Sequence, residues 1–338
     1  MNLGLALRTQ GRLEESIAEL RQAAELEPGA EPHFHLGVAL KRLGGREEEA
    51  TSSFRRCLEL DPKHAEAEHL LSALRKNGAV PAAASREYVA TVFDSAAERY
   101  DEHLVGKLGY RGPELLQAAV AAASPPARRN GLILDLGVGT GLCGPWLASL
   151  SPERLVGVDL SPEMLAQAEA RGMYDELLAA DVIESLQDDG LLVRNGEKAS
   201  LVVAADVLVY LGPLQPLFVA VAQALGRDGL FAFTVEDCEG REEPAPDDAD
   251  KSDRVPCTRL SQGVPVPSFC PSRASSEEAE ACRRDGLVLA PSGRFAHSRR
   301  HVRAAAAVGG LAVRSEEKAS SRTEGGRRVP GLVYVLGK

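Results

Sequence analysis

Apolar and polar positions along residues 131–236 fall into blocks that predict strands and helices in turn. Short apolar runs bounded by glycine or polar residues predict buried strands at 131–136, 154–158, 176–180, 200–206 and 229–236. Segments with helical periodicity separate these runs at 141–150, 162–171 and 214–226. Strands that alternate with helices through short turns predict a parallel sheet covered by helices on both faces.

Beyond residue 290 the pattern predicts a helix at 298–308 and two further strands near 311–318 and 331–336. A short turn rich in glycine and arginine at 325–328 joins the two strands. We therefore expect them to pair as an antiparallel hairpin. The fold class is α/β, with a mostly parallel sheet that ends in this hairpin.

Residues 239–289 interrupt this pattern. Asp, Glu, Pro, Ser and Arg predominate there, and the apolar residues are scattered without a period. Such a composition buries too little apolar surface to offset an ordering entropy of about 1–2 kcal/mol per residue. The sequence therefore predicts a disordered insertion that the fold does not require.

Residues 1–76 carry an internal repeat with an interval of 33 to 34 residues. Residues of the same or similar type occupy equivalent positions in the two copies. In the second copy these residues are Leu36-Gly37, Leu40, Gly45, Cys57 and Pro62. This pattern resembles the tetratricopeptide repeat, a helix-turn-helix unit, and residues 65–74 add one more helix. Two interpretations stay open: a concave surface that binds a peptide partner, or a helical arm that packs on the next domain.

Composition narrows the classes of protein to consider. With 338 residues and 44% hydrophobic content, the chain can fold as two domains. A net charge of -10 argues against a nucleic-acid partner, and no apolar run is long enough to cross a membrane. The six cysteines form no C-x-x-C pair and no zinc spacing, so we expect free thiols, no metal and a cytoplasmic location.

A glycine-rich stretch, LILDLGVGTGLCG at 132–144, reads as a strand, a tight turn and a helix, which is typical of a nucleotide site. Gly139 to Gly144 fits the dinucleotide pattern G-x-G-x-x-G, with Asp159 where a ribose-binding acid is expected. The same stretch also fits D-x-G-x-G-x-G, which begins at Asp135. A site for a pyrophosphate does not need a carboxylate there, because the pyrophosphate is itself negative. A carboxylate suits a ligand with a cationic end.

The pattern D-x-G-x-G-x-G resembles motif I of class I S-adenosylmethionine-dependent methyltransferases. Residues 93–101, F-D-x-x-A-x-x-Y-D, resemble a segment that folds over the cofactor in such enzymes, although an ordinary amphipathic helix has the same spacing. Together with the repeats, the string at 88–110 resembles a group of predicted methyltransferases that carry tetratricopeptide repeats. The resemblance implies a repeat arm at 1–76 and, at 86–338, a Rossmann-like seven-stranded methyltransferase domain.

The resemblance also implies the residues that contact S-adenosylmethionine. Asp135 would hold the methionine end, Asp159 would accept the ribose hydroxyls, and Asp181 would face the adenine amino group. Capping of a following turn is the other interpretation of Asp181. The implied cofactor-binding set is Asp135, Gly137, Gly139, Gly141, Asp159, Leu160, Asp181 and Val182.

The sequence says less about the catalytic residues and the methyl acceptor than about the cofactor contacts. Tyr210 lies just past the fourth predicted strand, where an acceptor would meet the methyl group, but it could equally pack under the next helix. His297 lies in a loop string, S-G-R-x-A-H-S, that the resemblance places at the mouth of the site. The acceptor is a small molecule or a protein. An NAD-dependent oxidoreductase and a non-enzymatic adaptor built on the repeats are the alternatives.

Overall fold

The N-terminal arm consists of five antiparallel helices. The computed structural model describes residues 1–26, 29–75, 81–123, 131–187, 192, 196–241, 276–324 and 327–338. The arm helices are α1 (Asn2–Thr9), α2 (Leu13–Leu26), α3 (Ala30–Leu43), α4 (Glu47–Leu60) and α5 (Ala65–Leu74). They form the predicted pairs of helices, and α5 is the extra helix expected after the second repeat.

The recurring glycines explain how the paired helices approach each other. A Cβ at Gly4 would lie 2.7 Å from Leu20 Cγ, and one at Gly37 would lie 2.7 Å from Phe54 Cε1. A Cβ at either position would clash with the facing side chain, which explains the glycine at this position in both copies. The resulting contact buries Leu20 and Phe54 completely in the core of the arm.

The second part of the chain is built on a sheet of nine strands, seven of which follow the order β3-β2-β1-β4-β5-β11-β8. These seven are β1 (Leu132–Leu136), β2 (Arg154–Asp159), β3 (Glu176–Ala179), β4 (Ala199–Ala204), β5 (Leu225–Asp237), β8 (Ala312–Ala319) and β11 (Gly331–Gly337). The first five are parallel, and β11 is antiparallel to both β5 and β8. The predicted α/β fold and its C-terminal hairpin are therefore confirmed. A short strand pair, β9 (Thr323–Glu324) and β10 (Arg327–Arg328), lies within the hairpin connection.

Helices cover both faces of the sheet because its strands bury side chains on both. Within β1, Leu134 packs in the core on one face of the sheet, whereas its neighbour Ile133 packs in the core on the other face. This alternation follows from the two-residue period of a strand. The covering helices are α7 (Gly112–Ala123), α8 (Gly144–Ser149), α9 (Pro162–Ala170), α10 (Val182–Gln187), α11 (Gln215–Ala224) and α13 (Arg299–Gly309).

A further segment connects the arm to the sheet. It contains α6 (Arg86–Asp94) and a π-helix (Glu102–Lys107). The side chain of Ser85 caps α6 by accepting a hydrogen bond of 3.1 Å from the amide of Tyr88. This segment lies at the carboxyl ends of the parallel strands, where ligands bind in open α/β sheets.

The prediction of disorder through residue 289 is wrong for the described end of that stretch. Residues Ser276–Asp285 form α12, and Leu287–Leu289 form a buried strand, β6. Strand β6 pairs with β7 (Phe295–His297), which itself extends the sheet beside β5. Three-residue strands carry almost no period of their own and are stabilised by their partners, so the sequence pattern missed them. Residues 242–275 of the predicted insertion lie outside the described part.

The expectation of free thiols is also wrong for one pair. Cys238, at the end of β5, forms a disulfide with Cys282 in α12. Cys57 and Cys143 are free and buried, and the other two cysteines lie outside the described residues. Within the described ranges, no helix is long and apolar enough to cross a membrane, and no group of three or more metal-ligating side chains occurs.

A buried network of charges joins β5 to the hairpin connection. The Arg322 side chain is 1% exposed and donates to Asp206 at 2.8 Å, to Glu324 at 2.6 Å and to Glu236. Arg294 contributes a second cation, 3.4 Å from both Glu236 and Glu324. Because ions in a low-dielectric interior must be paired, Arg322 neutralises carboxylates that would otherwise be costly to bury.

We predict that Arg322→Met lowers the free energy of unfolding by about 3–5 kcal/mol, because it leaves buried carboxylates without their cation. Arg303→Met is the matched control, since the Arg303 guanidinium is exposed and pairs with Glu316 at the surface. Urea denaturation of both variants measures the difference. Equally small losses would show that the buried network does not stabilise the fold.

Candidate functional site

The glycine turn follows β1 and has a backbone that other residues would strain. Gly137, Gly139 and Gly141 have φ angles of +66°, +53° and +84°. A Cβ at Gly137 would lie 2.3 Å from Val207 Cγ2, so the turn packs tightly on one side. At Gly139 a Cβ would meet no atom within 4 Å. The turn is therefore closed behind Gly137 and open at Gly139, where a ligand can approach the main chain.

Asp135 lies in β1 directly before this turn. The residue is 1% exposed, and one carboxylate oxygen accepts a hydrogen bond of 2.6 Å from the Tyr174 hydroxyl. Burial raises the pKa of Asp135 to about 7, and the nearby Asp159 adds to the effect, while the Tyr174 hydrogen bond opposes it. A carboxylate in this position favours a cation beside it.

Asp159 ends β2 and ties the glycine turn to the next helix. Its Oδ2 accepts from the Gly139 amide at 2.8 Å, and its Oδ1 accepts from the Ser161 amide at 3.0 Å. Ser161 in turn caps α9 by accepting from the Met164 amide. Each carboxylate oxygen has a second lone pair, so Asp159 can still accept hydrogen bonds from a bound ligand.

Asp181 caps α10, as one of its two interpretations predicted. Its Oδ1 accepts from the amides of Ile183 at 2.9 Å and Glu184 at 3.0 Å, and its Oδ2 lies 3.4 Å from Arg86 Nε. Capping uses only Oδ1 of Asp181, so it does not exclude a contact with the cofactor. That contact stays a prediction. The two other implied contacts are partly exposed at the carboxyl ends of β2 and β3: Leu160 and Val182.

The segment containing α6 and the π-helix contacts the site through two acids. Asp94 accepts from Ser161 Oγ at 2.5 Å, and Asp101 accepts from Thr140 Oγ1 at 2.5 Å. Arg171 pairs with Asp101 and donates to the Thr140 carbonyl at 2.5 Å. Contacts with the glycine turn and with the start of α9 support the interpretation in which this segment covers the site.

Tyr210 lies beyond β4 in a group of aromatic rings. The centroid of Phe93 is 5.6 Å from that of Tyr210 and 5.8 Å from that of Tyr100. Burial raises the pKa of Tyr210, although the positive charges of Arg294 and Arg322 oppose this shift. Tyr210 therefore keeps its proton at neutral pH and can act as a hydrogen-bond donor.

Asp206, beside this aromatic group, has an unusual backbone. Its φ is +57°, a conformation that costs a residue other than glycine roughly 1–3 kcal/mol. Hydrogen bonds hold it there, since its amide donates to Thr234 Oγ1 at 2.8 Å and its carboxylate binds Arg322. Residues held in strained conformations concentrate at functional sites.

The structure does not support a position at the site mouth for His297. Its side chain is completely buried in β7, and its Nε2 lies 3.2 Å from the Leu208 carbonyl oxygen, to which it donates. Burial and the neighbouring His301 lower the pKa of His297 to about 3. His297 is therefore a neutral core residue, and this correction follows from a strand that the sequence pattern did not predict.

The structure brings Asp135, Asp159 and the three glycines together and adds residues that sequence reasoning missed. Tyr174 lies in the loop after α9, and no sequence pattern marked it as a site residue. Asp94 and Asp101 did carry a sequence signal, because they are the two aspartates of the string at residues 93–101.

Comparison with known families agrees with this geometry. Residues 134–231 match a family profile described as a methyltransferase domain. Residues 4–44 and 30–64 match two tetratricopeptide-repeat profiles. The chain therefore contains a methyltransferase domain preceded by tetratricopeptide repeats, and the resemblance seen in the sequence is confirmed.

The chain also resembles individual proteins and solved structures. The chain is 41% identical over 85 residues to human methyltransferase-like protein 27, a match that covers 25% of this chain and 34% of that protein. A Leishmania major SAM-dependent methyltransferase has 13% identity and a TM-score of 0.49, with 74% and 82% of the two chains covered. Magnesium protoporphyrin IX methyltransferase from Synechocystis has 13% identity and a TM-score of 0.47, covering 75% and 99%.

We predict that Asp135 makes stability depend on pH. Because its folded pKa of about 7 lies above the ordinary 3.8, the folded state holds the proton more tightly. The stabilisation is complete below the ordinary pKa and is lost, by about 1.4 kcal/mol per pH unit, as the pH rises to the folded value. Asp135→Asn keeps an oxygen for Tyr174 but binds no proton, so its unfolding free energy should lack this slope. Identical slopes in urea denaturation would contradict the assignment.

Proposed function

We propose that the chain is an S-adenosylmethionine-dependent methyltransferase that acts on an acceptor still to be identified. The single observation that carries this proposal is the buried carboxylate of Asp135 beside an open glycine turn. Burial raises the pKa of Asp135, so a cation bound beside it would stabilise the charged form. The amino and sulfonium groups of S-adenosylmethionine supply such cations.

A dinucleotide fits these charges less well. Its pyrophosphate would bring further negative charge to a turn that already has Asp135 and Asp159 behind it. One nearby cation, Arg171, pairs with Asp101 and donates to the Thr140 carbonyl. Charge complementarity therefore favours a cationic cofactor over an anionic one.

The residues of the site then have separate tasks. Asp135 binds the cationic end of the cofactor, Asp159 accepts hydrogen bonds from the ribose hydroxyls, and Asp181 lies beside the adenine with Leu160 and Val182. Bound S-adenosylmethionine supplies a methyl group that its positive sulfur already activates. The protein contributes mainly alignment of the reactants, for which orientation can be worth about 7–11 kcal/mol.

The acceptor binds past the end of β4, beside Tyr210 and Tyr100. Asp206 lies next to these rings in its strained conformation, fixed by Thr234 and Arg322. An aromatic wall with polar groups at one end suits an acceptor that has an apolar body and a reactive polar atom. The repeats serve as a docking arm for a partner, in line with the repeat profiles that match residues 4–64.

Calorimetry tests the choice of cofactor. We predict that the unmodified chain binds S-adenosylmethionine and does not bind NAD. Asp159→Asn should weaken the binding about tenfold or more, because charge-assisted hydrogen bonds are worth about 1.5–3 kcal/mol each. Glu169→Gln is the control, since Glu169 is an exposed acid elsewhere on α9 and should bind as the unmodified chain does. Tight binding of NAD would refute the proposal.

Transfer itself is tested by incubating the chain with S-adenosylmethionine labelled on the methyl group and a fractionated cell extract. A labelled component that is absent with Asp159→Asn supports the enzyme. Cofactor binding without any labelled component would instead favour a non-enzymatic adaptor.

A further inference from the structure

The last helix of the arm contacts the part of the chain that borders the acceptor site. His69 in α5 is 5% exposed, and its Nε2 donates to the Gly293 carbonyl oxygen at 2.7 Å. Its ring also stacks on Tyr88, with 4.2 Å between the centroids and an angle of 27° between the planes. His69 therefore joins the segment that follows the arm to a turn 224 residues away in the sequence.

Gly293 lies in the tight turn between β6 and β7. Its φ is +85°, and its amide donates to the Ala290 carbonyl at 2.8 Å. The Ala290 amide donates in turn to the Arg294 carbonyl at 2.9 Å, which closes the turn. Ala73 of the arm packs on the flanking strands, in one buried group with Leu287, Leu289 and Phe295. The arm thus holds this turn by an apolar contact and by one directed hydrogen bond.

The residue after Gly293 enters the acceptor site. Arg294 is 6% exposed, lies 3.4 Å from Glu236 and hydrogen-bonds to Tyr210. A displacement of Gly293 would therefore move the guanidinium that lies near the Tyr210 hydroxyl. In a close-packed interior such small shifts are transmitted to neighbouring groups.

The second partner of His69 leads to the same place. Tyr88 belongs to a buried group that includes Val209 and Tyr210. The Ala84 amide, near the start of α6, donates to the Tyr210 carbonyl at 2.9 Å. Both partners of the His69 ring are therefore close to Tyr210. Gly293 precedes Arg294, which lies near Tyr210, and Tyr88 packs in the same buried group as Tyr210.

We propose that His69 is a positioning residue, through which the repeat arm forms an outer wall of the acceptor site. The inference rests on the proposed function in placing the acceptor beside Tyr210. It assigns the arm a part in methyl transfer that does not require any partner bound to the repeats. The Gly293 hydrogen bond leads to the acceptor side, whereas Tyr88 belongs to α6, which also contacts the cofactor side through Asp94. Loss of the Gly293 hydrogen bond with the ring kept on Tyr88 should therefore affect the acceptor side.

The protonation state of His69 fits this task. A carbonyl oxygen only accepts hydrogen bonds, so Nε2 must carry a proton. Burial lowers the pKa of His69, with the Gly293 hydrogen bond opposing the shift. The ring is therefore neutral with its proton on Nε2, and the contact persists across the neutral pH range.

Two substitutions in the full chain separate the two contacts. His69→Phe keeps a ring to stack on Tyr88 but cannot donate to Gly293. His69→Gln keeps a donor for Gly293 but loses the stacked ring. His33→Phe is the matched control, since His33 lies on α3 of the same arm and makes neither contact. Urea denaturation confirms that each variant is folded before it is compared.

Hydrogen exchange reports the position of the turn, and labelled methyl transfer to one fixed extract fraction reports the site. In His69→Phe we expect exchange of the Ala290 and Gly293 amides to be about tenfold faster, the size of one lost hydrogen bond. We expect transfer to fall by a similar factor with the KM for S-adenosylmethionine unchanged. His69→Gln should recover much of both, and His33→Phe should behave as the unmodified chain.

Unchanged exchange in folded His69→Phe would overturn the proposal, as would a transfer rate equal to that of the control. A raised KM for S-adenosylmethionine would also overturn it, because the effect would then extend to the cofactor side. If the unmodified chain labels no fraction, the proposed function fails. The exchange data still decide whether His69 holds the turn.

Discussion

The site depends on one electrostatic constraint, a carboxylate held almost without solvent at the end of a central strand. Asp135 is 1% exposed and shares a hydrogen bond with Tyr174, but its pKa still rises to about 7. Burying an anion in this way costs free energy unless a cation accompanies it. The glycine turn beside it leaves open space at Gly139. In the proposed function, these two features give the site its preference for a positively charged ligand.

Around this constraint, the site is assembled from chain segments that hold one another in place. Asp159 joins the glycine turn to α9, and the segment after the arm joins both through Asp94 and Asp101. Near Tyr210, Arg322 and Arg294 tie β5 to the hairpin and to the β6–β7 turn. The repeat arm reaches that turn through His69. The arm and the sheet are thereby connected on the side of the site where we propose that the acceptor binds.

Sequence patterns predicted the elements that depend on residues close together in the sequence. The strand–turn–helix around Gly139, the acid at the end of β2 and the repeat glycines each follow from a spacing of a few residues. The missed features depend on distant partners. Tyr174 acquires its role by lying beside Asp135, β6 is stable only against β7, and His297 is buried because β7 joins β5. The Cys238–Cys282 disulfide likewise joins residues that no short motif connects.

The most direct test of the central claim is the number of protons released when S-adenosylmethionine binds. Calorimetry at pH 7 in two buffers with different ionisation enthalpies measures it. A cationic cofactor beside Asp135 should lower its pKa, so the unmodified chain should release a substantial fraction of one proton, and Asp135→Asn should not. Binding with equal proton release in both proteins would contradict the account, because Asp135 would then not face the cationic end of the cofactor.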